Sequence, residues 1–165
     1  HEAYIAILQI LERQPNLAVY QRNAAALAKL NGRLDNAIQH AHRAVELNQG
    51  YATGHTVLGE LLRDAGRYDE AMESIRTAIE LEPEDTEHNI ALAAVMVAAE
   101  QYDEALAEVE IGLANSPDHV TALCIKAQAL TDLDRRNDAR TAVERVLALD
   151  AQNTWALQLK AKLGF

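Results

Sequence analysis

Five short segments of the sequence recur at one fixed spacing. They are LERQPN, VELNQG, IELEPED, LANSPDH and LALDAQN. One turn position is kept in register through all five, and it is occupied by Pro15, Gln49, Pro83, Pro117 and Ala151. Self-similarity at a fixed period of about 34 residues is typical of one supersecondary unit stacked on itself. The sequence therefore predicts a stacked-repeat protein.

Within one period the hydrophobic pattern predicts two helices joined by a corner. In residues 52–85, Leu58 and Leu62 follow helical spacing, the motif AGRYDEA breaks the pattern at Gly66, and a second apolar stripe runs to Pro83. Glycine suits the first corner because it tolerates positive φ, and proline suits the second because a helix cannot run through it. A corner residue lies seventeen residues before each register residue from Gln49 onwards. The four corner residues are Gly32, Gly66, Glu100 and Asp134.

The bulk composition favours a helical fold and argues against nucleic-acid and membrane partners. The chain is 49% hydrophobic but 4% aromatic, and its seven glycines and three prolines leave little room for the turns of a β-sandwich. A net charge of −10 argues against nucleic acid, because neutralising phosphates needs a basic face. The longest uncharged run, residues 89–99, is too short for a spanning helix of about 20 residues.

One cysteine, Cys124, and no visible targeting segment predict a cytoplasmic location.

The pattern L-G-x-x-L…A-G-R-Y-D-E-A…A-I-E-L-x-P of residues 58–83 resembles the tetratricopeptide repeat (TPR) family. The resemblance covers the whole chain, although Lys126 stands where the family has a core leucine. It implies an all-α fold, a right-handed α-solenoid of stacked helix-turn-helix pairs with about ten helices. We expect a single array, itself a fragment of a longer chain, in residues 1–165: a lone second helix (1–17), full repeats at 18–51, 52–85, 86–119 and 120–153, and a lone first helix (154–165).

Similarity to this family also implies a function. The first helix of each pair is expected to line a concave groove that binds a peptide, a helix or an extended tail of another protein. The expected partner-binding residues are Val57, Glu60, Ile90, Ala91, Ala94, Val97, Cys124, Ile125 and Gln128, and the secondary groove positions are Arg22, Asn23, Lys29, Arg63 and Trp155.

The uncharged run, residues 89–99, is the predicted first helix of the third repeat and carries two apolar faces. The fold requires the face that includes Leu92 and Met96. It does not require the other face, for which we predict a mid-groove binding patch suited to a basic, amphipathic helix. The alternative is that these side chains pack against neighbouring first helices. The predicted patch comprises Ile90, Ala91, Ala94, Val97 and Ala98 with Val57, Cys124 and Ile125, rimmed by Glu60, Asp64, Glu87 and Asp132.

Some TPR proteins hold the C-terminal carboxylates of heat-shock chaperones in a clamp of Lys, Asn and Arg side chains. The matching positions here, counted from the first copy, are Arg22, Ala26, Val57, Glu87 and Ala91. Only Arg22 keeps the charge that the clamp needs. The sequence therefore predicts no carboxylate clamp and no chaperone-tail binding through one.

The residues that could carry chemistry are scattered. His40 and His42 point to different sides of a helix, and Cys124 has no histidine three or four residues away, so we expect no catalytic residue, no metal site, no cofactor and no enzyme activity in the chain. Two alternatives to a scaffold remain. The chain is the substrate-recruiting, non-catalytic region of a larger transferase, or it self-associates through exposed end helices. Trp155 is either a partner anchor or a cover for the open end of the stack of helices.

Overall fold

The computed structural model describes residues 2–14 and 16–165, so the register residue Pro15 lies outside the described part. Every regular element in that part is an α-helix, which confirms the predicted all-α class. The helices are α1 (Glu2–Arg13), α2 (Ala18–Leu30), α3 (Leu34–Leu47), α4 (Ala52–Asp64), α5 (Tyr68–Leu81), α6 (Glu87–Ala98), α7 (Tyr102–Asn115), α8 (Val120–Asp132), α9 (Arg136–Leu149) and α10 (Thr154–Leu163).

The corners between paired helices repeat with the period of the sequence. Gly32, Gly66, Glu100 and Asp134 all have positive φ, between 55° and 74°. After each of them, a backbone N–H bonds back to the carbonyl five residues earlier, as from Arg67 to Leu62 at 2.9 Å. This Schellman arrangement satisfies a carbonyl that the end of the helix leaves free. It turns the chain sharply, so that α3, α5, α7 and α9 begin at equal intervals along the sequence.

The chain divides into two compact units. The first unit, His1–Asp85, holds α1 to α5, and each of these helices packs against the next along the chain. Alanines lie at the crossings: Ala37 and Ala71 have no exposed surface, which lets paired helices approach closely. The core between them is filled by aliphatic side chains, among which Leu61, Leu62 and Ile75 are fully buried.

The second unit, Thr86–Phe165, holds α6 to α10 and has the same organisation. The second helices α7 and α9 pack against their first helices α6 and α8, and Ala105 and Ala139 are fully buried at the crossings. In addition, α6 packs beside α8 and α8 beside α10. The first helices of this unit therefore lie side by side and present a common face.

Candidate peptide-binding surface

Helix α6 buries one face and leaves a strip of small apolar side chains partly open. Leu92, Val95 and Met96 are buried, as the fold requires. Ala91, Ala94 and Val97 are only half-buried. Because no residue from 89 to 99 is charged, this half-exposed strip is apolar along its whole length. Of the other residues of the predicted patch, Ala98 and Val57 are also half-buried.

Ile90 does not belong to the accessible strip, contrary to the prediction. It is 4% exposed and points at Gly112 of α7. A Cβ placed on Gly112 would come within 2.8 Å of Cδ1 of Ile90, so the absent side chain of the glycine makes the space that the isoleucine fills. Ile90 is therefore part of the α6–α7 core, packed on the second helix of its own pair and not on a neighbouring first helix as the alternative had it.

Cys124 and Ile125 on α8 are also buried, at 2% and 1% exposure, and the prediction that they face the groove is wrong. The Sγ of Cys124 lies 3.6 Å from Oδ1 of Asn153, in the turn before α10. Burial, with a smaller contribution from the charge of Asp150, raises the pKa of the Cys124 thiol to about 11. The packing of α10 beside α8 covers this face, and the thiol is unsuited to modification in the folded chain.

A network of hydrogen bonds joins α8 to α10. The indole Nε1 of Trp155 donates to Oε1 of Gln128 at 3.2 Å, and Nε2 of Gln128 donates to the Asp132 carboxylate. Lys162 bonds to Asp132 at 2.7 Å. Partial burial acts to raise the pKa of Asp132, but hydrogen bonds from Lys162 and Gln128 outweigh it and lower the pKa. Gln128 and Trp155 therefore brace two helices, and no pattern in the sequence indicated the role of Lys162.

The remaining predicted groove residues lie on α2 and α4 of the first unit. Val57 and Glu60 are half-buried there, as are Arg22 and Asn23. The secondary positions Lys29 and Arg63 both pair with Asp64, at 2.7 Å and 2.9 Å. Partial burial acts to raise the pKa of Asp64, but hydrogen bonds from both bases lower it below its usual range. Lys29 and Arg63 are thus tied to each other through one carboxylate.

A concavity that no sequence pattern indicated lies between α7 and α9. Its volume is about 650 Å³. Lys126, which occupies the position of the family's core leucine, is one of the lining residues. Its Nζ forms an ion pair with Glu110 at 2.6 Å. The equivalent Leu58 in the first unit is buried instead. The other lining residues are Leu106, Ala107, Leu123, Leu130, Arg135, Asp138, Thr141, Ala142 and Arg145.

Across the described residues, 2–14 and 16–165, we find no helix with the length and apolarity needed to span a membrane. The comparison with curated protein sequences gives no match. Similar folds are found among solved structures.

PilF of Pseudomonas aeruginosa has a TM-score of 0.82 at 20% identity, with 98% of this chain and 74% of that chain covered. A MamA structure has a TM-score of 0.74 at 19% identity, with 99% of this chain and 85% of that chain covered. The first TPR domain of Spaghetti (RPAP3), solved with the HSP90 peptide SRMEEVD, has a TM-score of 0.65 at 20% identity over 68% of this chain and 89% of that chain. At such identities the likeness is one of fold.

The sequence itself carries the family assignment. The family model of the tetratricopeptide repeat matches residues 28–95 and 62–124, which together span more than half of the chain. The helical pairs, their regular spacing and the similar solved structures agree with that match. The chain belongs to the tetratricopeptide-repeat family, whose fold is a protein-interaction scaffold.

Proposed function

We propose that the chain binds another protein on the open strip of α6, defined by Ala91, Ala94 and Val97, and that the bound segment is a short amphipathic helix. The observation that carries this proposal is that the strip stays uncharged although it is half-exposed. A contiguous apolar patch on a protein surface often marks a site where a partner binds. Small side chains also let a partner helix approach the backbone closely.

The charges around the strip favour a basic partner. Glu87 at the start of α6 is exposed, and eleven acidic residues but no Lys or Arg lie between Arg76 and Lys126. Such a one-sided distribution attracts a positively charged segment over several ångströms and speeds its association. The proposed partner therefore combines large apolar side chains on one side of a helix with lysines or arginines beside them.

This partner differs from the acidic HSP90 peptide in the RPAP3 structure. A carboxylate needs positively charged or amide donors, and the positions where a clamp would stand are occupied here by Ala26, Val57 and Ala91, which have none. Glu87 at another clamp position would repel a carboxylate. We therefore propose that the chain does not bind chaperone tails in this way.

The test uses a fluorescein-labelled peptide built from Leu, Ala and Lys, long enough for about four helical turns. It is titrated with the full chain and followed by anisotropy. We expect Ala94→Arg to weaken binding about tenfold or more, because a long cation would fill the strip and repel the lysines. Ala107→Arg is the matched control, since Ala107 is an exposed alanine on α7. Circular dichroism should show that both variants keep their helicity.

A second peptide, with Glu in place of Lys, tests the charge preference. It should bind at least tenfold more weakly than the lysine peptide at low ionic strength. The proposal is wrong if neither peptide binds, or if Ala107→Arg weakens binding as much as Ala94→Arg. Equal binding of the two peptides would contradict the basic partner while leaving the apolar strip in place.

A further inference from the structure

A partly buried polar cluster in the first unit links three helices through one imidazole ring. Tyr4 on α1 is 2% exposed, and its Oη lies 3.3 Å from Nε2 of His40 on α3. The other ring nitrogen of His40, Nδ1, lies 2.8 Å from Oε1 of Gln21 on α2. Gln21 is itself buried. The packing of α1 on the rest of the unit thus includes a polar link.

The cluster is satisfied when His40 is neutral. Its Nδ1–H then donates to Gln21, and Nε2 accepts a hydrogen bond from the hydroxyl of Tyr4. The Tyr4 oxygen in turn accepts from Nδ2 of Asn36 at 3.5 Å. Each of these polar groups has a partner. Tyr4 and Gln21 need one because they are buried, whereas His40 is half-buried and Asn36 is exposed.

Protonation of His40 breaks this arrangement. An imidazolium carries a proton on both nitrogens, so Nε2 becomes a donor that points at a hydroxyl already accepting from Asn36. The hydroxyl proton of Tyr4 then loses its acceptor, and the burial of Tyr4 hinders its replacement by water. The guanidinium of Arg33, 5.7 Å from the centre of the Tyr4 ring, adds a second positive charge nearby.

Within the described part of the chain, the other helix packed on α3 brings no hydrogen-bonded carboxylate to the cluster. The histidine of α4, His55, is bonded to the backbone carbonyl of Gln49 instead. Burial lowers the pKa of His40, in the same direction as the hydrogen-bond argument. The packed state of α1, in which His40 is half-buried, therefore binds a proton less well than a state in which His40 is fully open to water.

We propose that this cluster is an acid-sensitive latch: protonation of His40 breaks its hydrogen bond with Tyr4 and releases α1 from α2 and α3. Opening is linked to uptake of one proton, so the open population grows as the pH falls below the ordinary imidazole value of about 6.5. One proton gives at most about a tenfold increase in the opening equilibrium per pH unit. Above that pH the latch stays closed.

Release of α1 would change the surface of α2. A cleft of about 500 Å³ runs between the two helices, with Ile7 and Ile10 of α1 on one side and Asn23, Ala26 and Leu27 of α2 on the other. Asn23 is one of the predicted secondary groove positions. Opening removes one wall of the cleft and exposes the apolar side of α2 to solvent or to a partner.

Hydrogen exchange of the full chain, followed by mass spectrometry and corrected for the intrinsic pH dependence of exchange, tests the latch. Between pH 7.5 and pH 5.0 we expect the protection of residues 2–14 to fall about tenfold or more, while α7 keeps its protection. His40→Gln should remove this pH dependence. His42→Gln is the matched control, because His42 lies on the same helix outside the cluster, and it should leave the dependence intact.

A proton NMR titration of the wild-type His40 ring covers the case in which His40→Gln itself loosens α1. The ring should titrate below the ordinary imidazole value, over the same range in which α1 opens. Tyr4→Phe should reduce the pH dependence, because no hydroxyl proton is then left without an acceptor. Unchanged protection of residues 2–14 at pH 5.0, or loss of the dependence in His42→Gln, would overturn the proposal.

Discussion

At the four corners between paired helices, the same left-handed backbone is built from residues of very different suitability. Gly32 and Gly66 adopt it without a steric cost, whereas Glu100 and Asp134 adopt it at φ of 60° and 55°. For a residue with a Cβ, this conformation costs about 1–2 kcal/mol. Asp tolerates it better than Glu, because its short side chain can bond to the local backbone. The second unit therefore holds conformational strain at positions where the first unit has none.

We expect Glu100→Gly to raise the free energy of unfolding by about 0.5–1 kcal/mol, after the extra entropy of glycine in the unfolded chain is subtracted. Asp134→Gly should give a smaller gain. The reverse change, Gly66→Ala, should cost about 1 kcal/mol, and this cost is purely conformational because an added Cβ meets no atom within 4 Å. Urea unfolding followed by circular dichroism measures all three. A loss of stability in Glu100→Gly would show that its side chain contributes more than its backbone costs.

The burial of single residues is where prediction from the sequence was least accurate. Ala91, Ala94 and Val97 are half-exposed, but Ile90, Cys124 and Ile125 on the same predicted face are buried. A helical pattern gives the direction of a side chain to within one residue, about 100°, and positions at the edge of a face depend on the neighbouring helix. Ile90 is buried because Gly112, on the following helix, leaves space for it.

At the scale of helix pairs, each unit places a glycine against an isoleucine, but at different positions of the repeat, since the residues equivalent to Gly59 and Ile75 in the next repeat are Ala93 and Val109. In the pair α4–α5, Gly59 on the first helix faces Ile75 on the second. In the pair α6–α7, the isoleucine is Ile90 on the first helix and the glycine is Gly112 on the second. Close packing of the two helices needs one small residue at each such contact, on either side. The sequence shows the glycines, and only the structure shows which isoleucine fills each space.

The different surroundings of Gly112 and Gly59 predict different outcomes for their substitution. Gly112→Ala should destabilise the chain by about 1–2 kcal/mol, because overpacking against Ile90 exceeds the gain of about 1 kcal/mol in helix propensity. In an Ile90→Ala background the same change should be neutral or stabilising, since the atoms it would strike, Cγ1 and Cδ1, are gone.

Gly59→Ala provides the contrast. An added Cβ would approach Ile75 and also the backbone carbonyl of Ala71, at 2.9 Å, and a carbonyl cannot be trimmed away. Gly59→Ala should therefore remain destabilising even when Ile75 is changed to Ala. Chemical unfolding of the single and double variants gives both coupling energies. Equal rescue in the two pairs would contradict the role assigned to the Ala71 carbonyl.

The arrangement of the helices was predictable because it depends on many residues at once. The recurring corner residues and the apolar stripes of the second repeat indicated the all-α fold and the regular spacing of helix pairs that the structure shows. Contacts between residues far apart in the sequence were not predictable. Lys162 reaches Asp132 across 30 positions, and Tyr4 reaches His40 across 36. Such pairs follow from how helices pack, which a periodic pattern determines only to within a side chain.

At the scale of the whole molecule, the charge is large and unevenly distributed. The net charge is −10, and residues 77–125 contain eleven acids and no Lys or Arg. In residues 126–165, by contrast, seven basic residues accompany five acids. Most ion pairs of the described residues are exposed, and exposed pairs contribute about 0–1 kcal/mol each. Repulsion among the acids is then the largest electrostatic effect that added salt can change.

We therefore expect the melting temperature to rise when NaCl is increased from about 20 mM to 300 mM, because the screening length shortens below the spacing of many acidic pairs. Glu84→Lys should reduce this rise, since it places a base among the acids between α5 and α6. Lys162→Glu is the opposite change and should increase the rise, because it removes the partner of Asp132 and adds another acid. Calorimetry of the three proteins at both salt concentrations provides the measurement. A melting temperature that falls with salt would mean that the exposed ion pairs, and not the acidic excess, dominate the electrostatics of the folded chain.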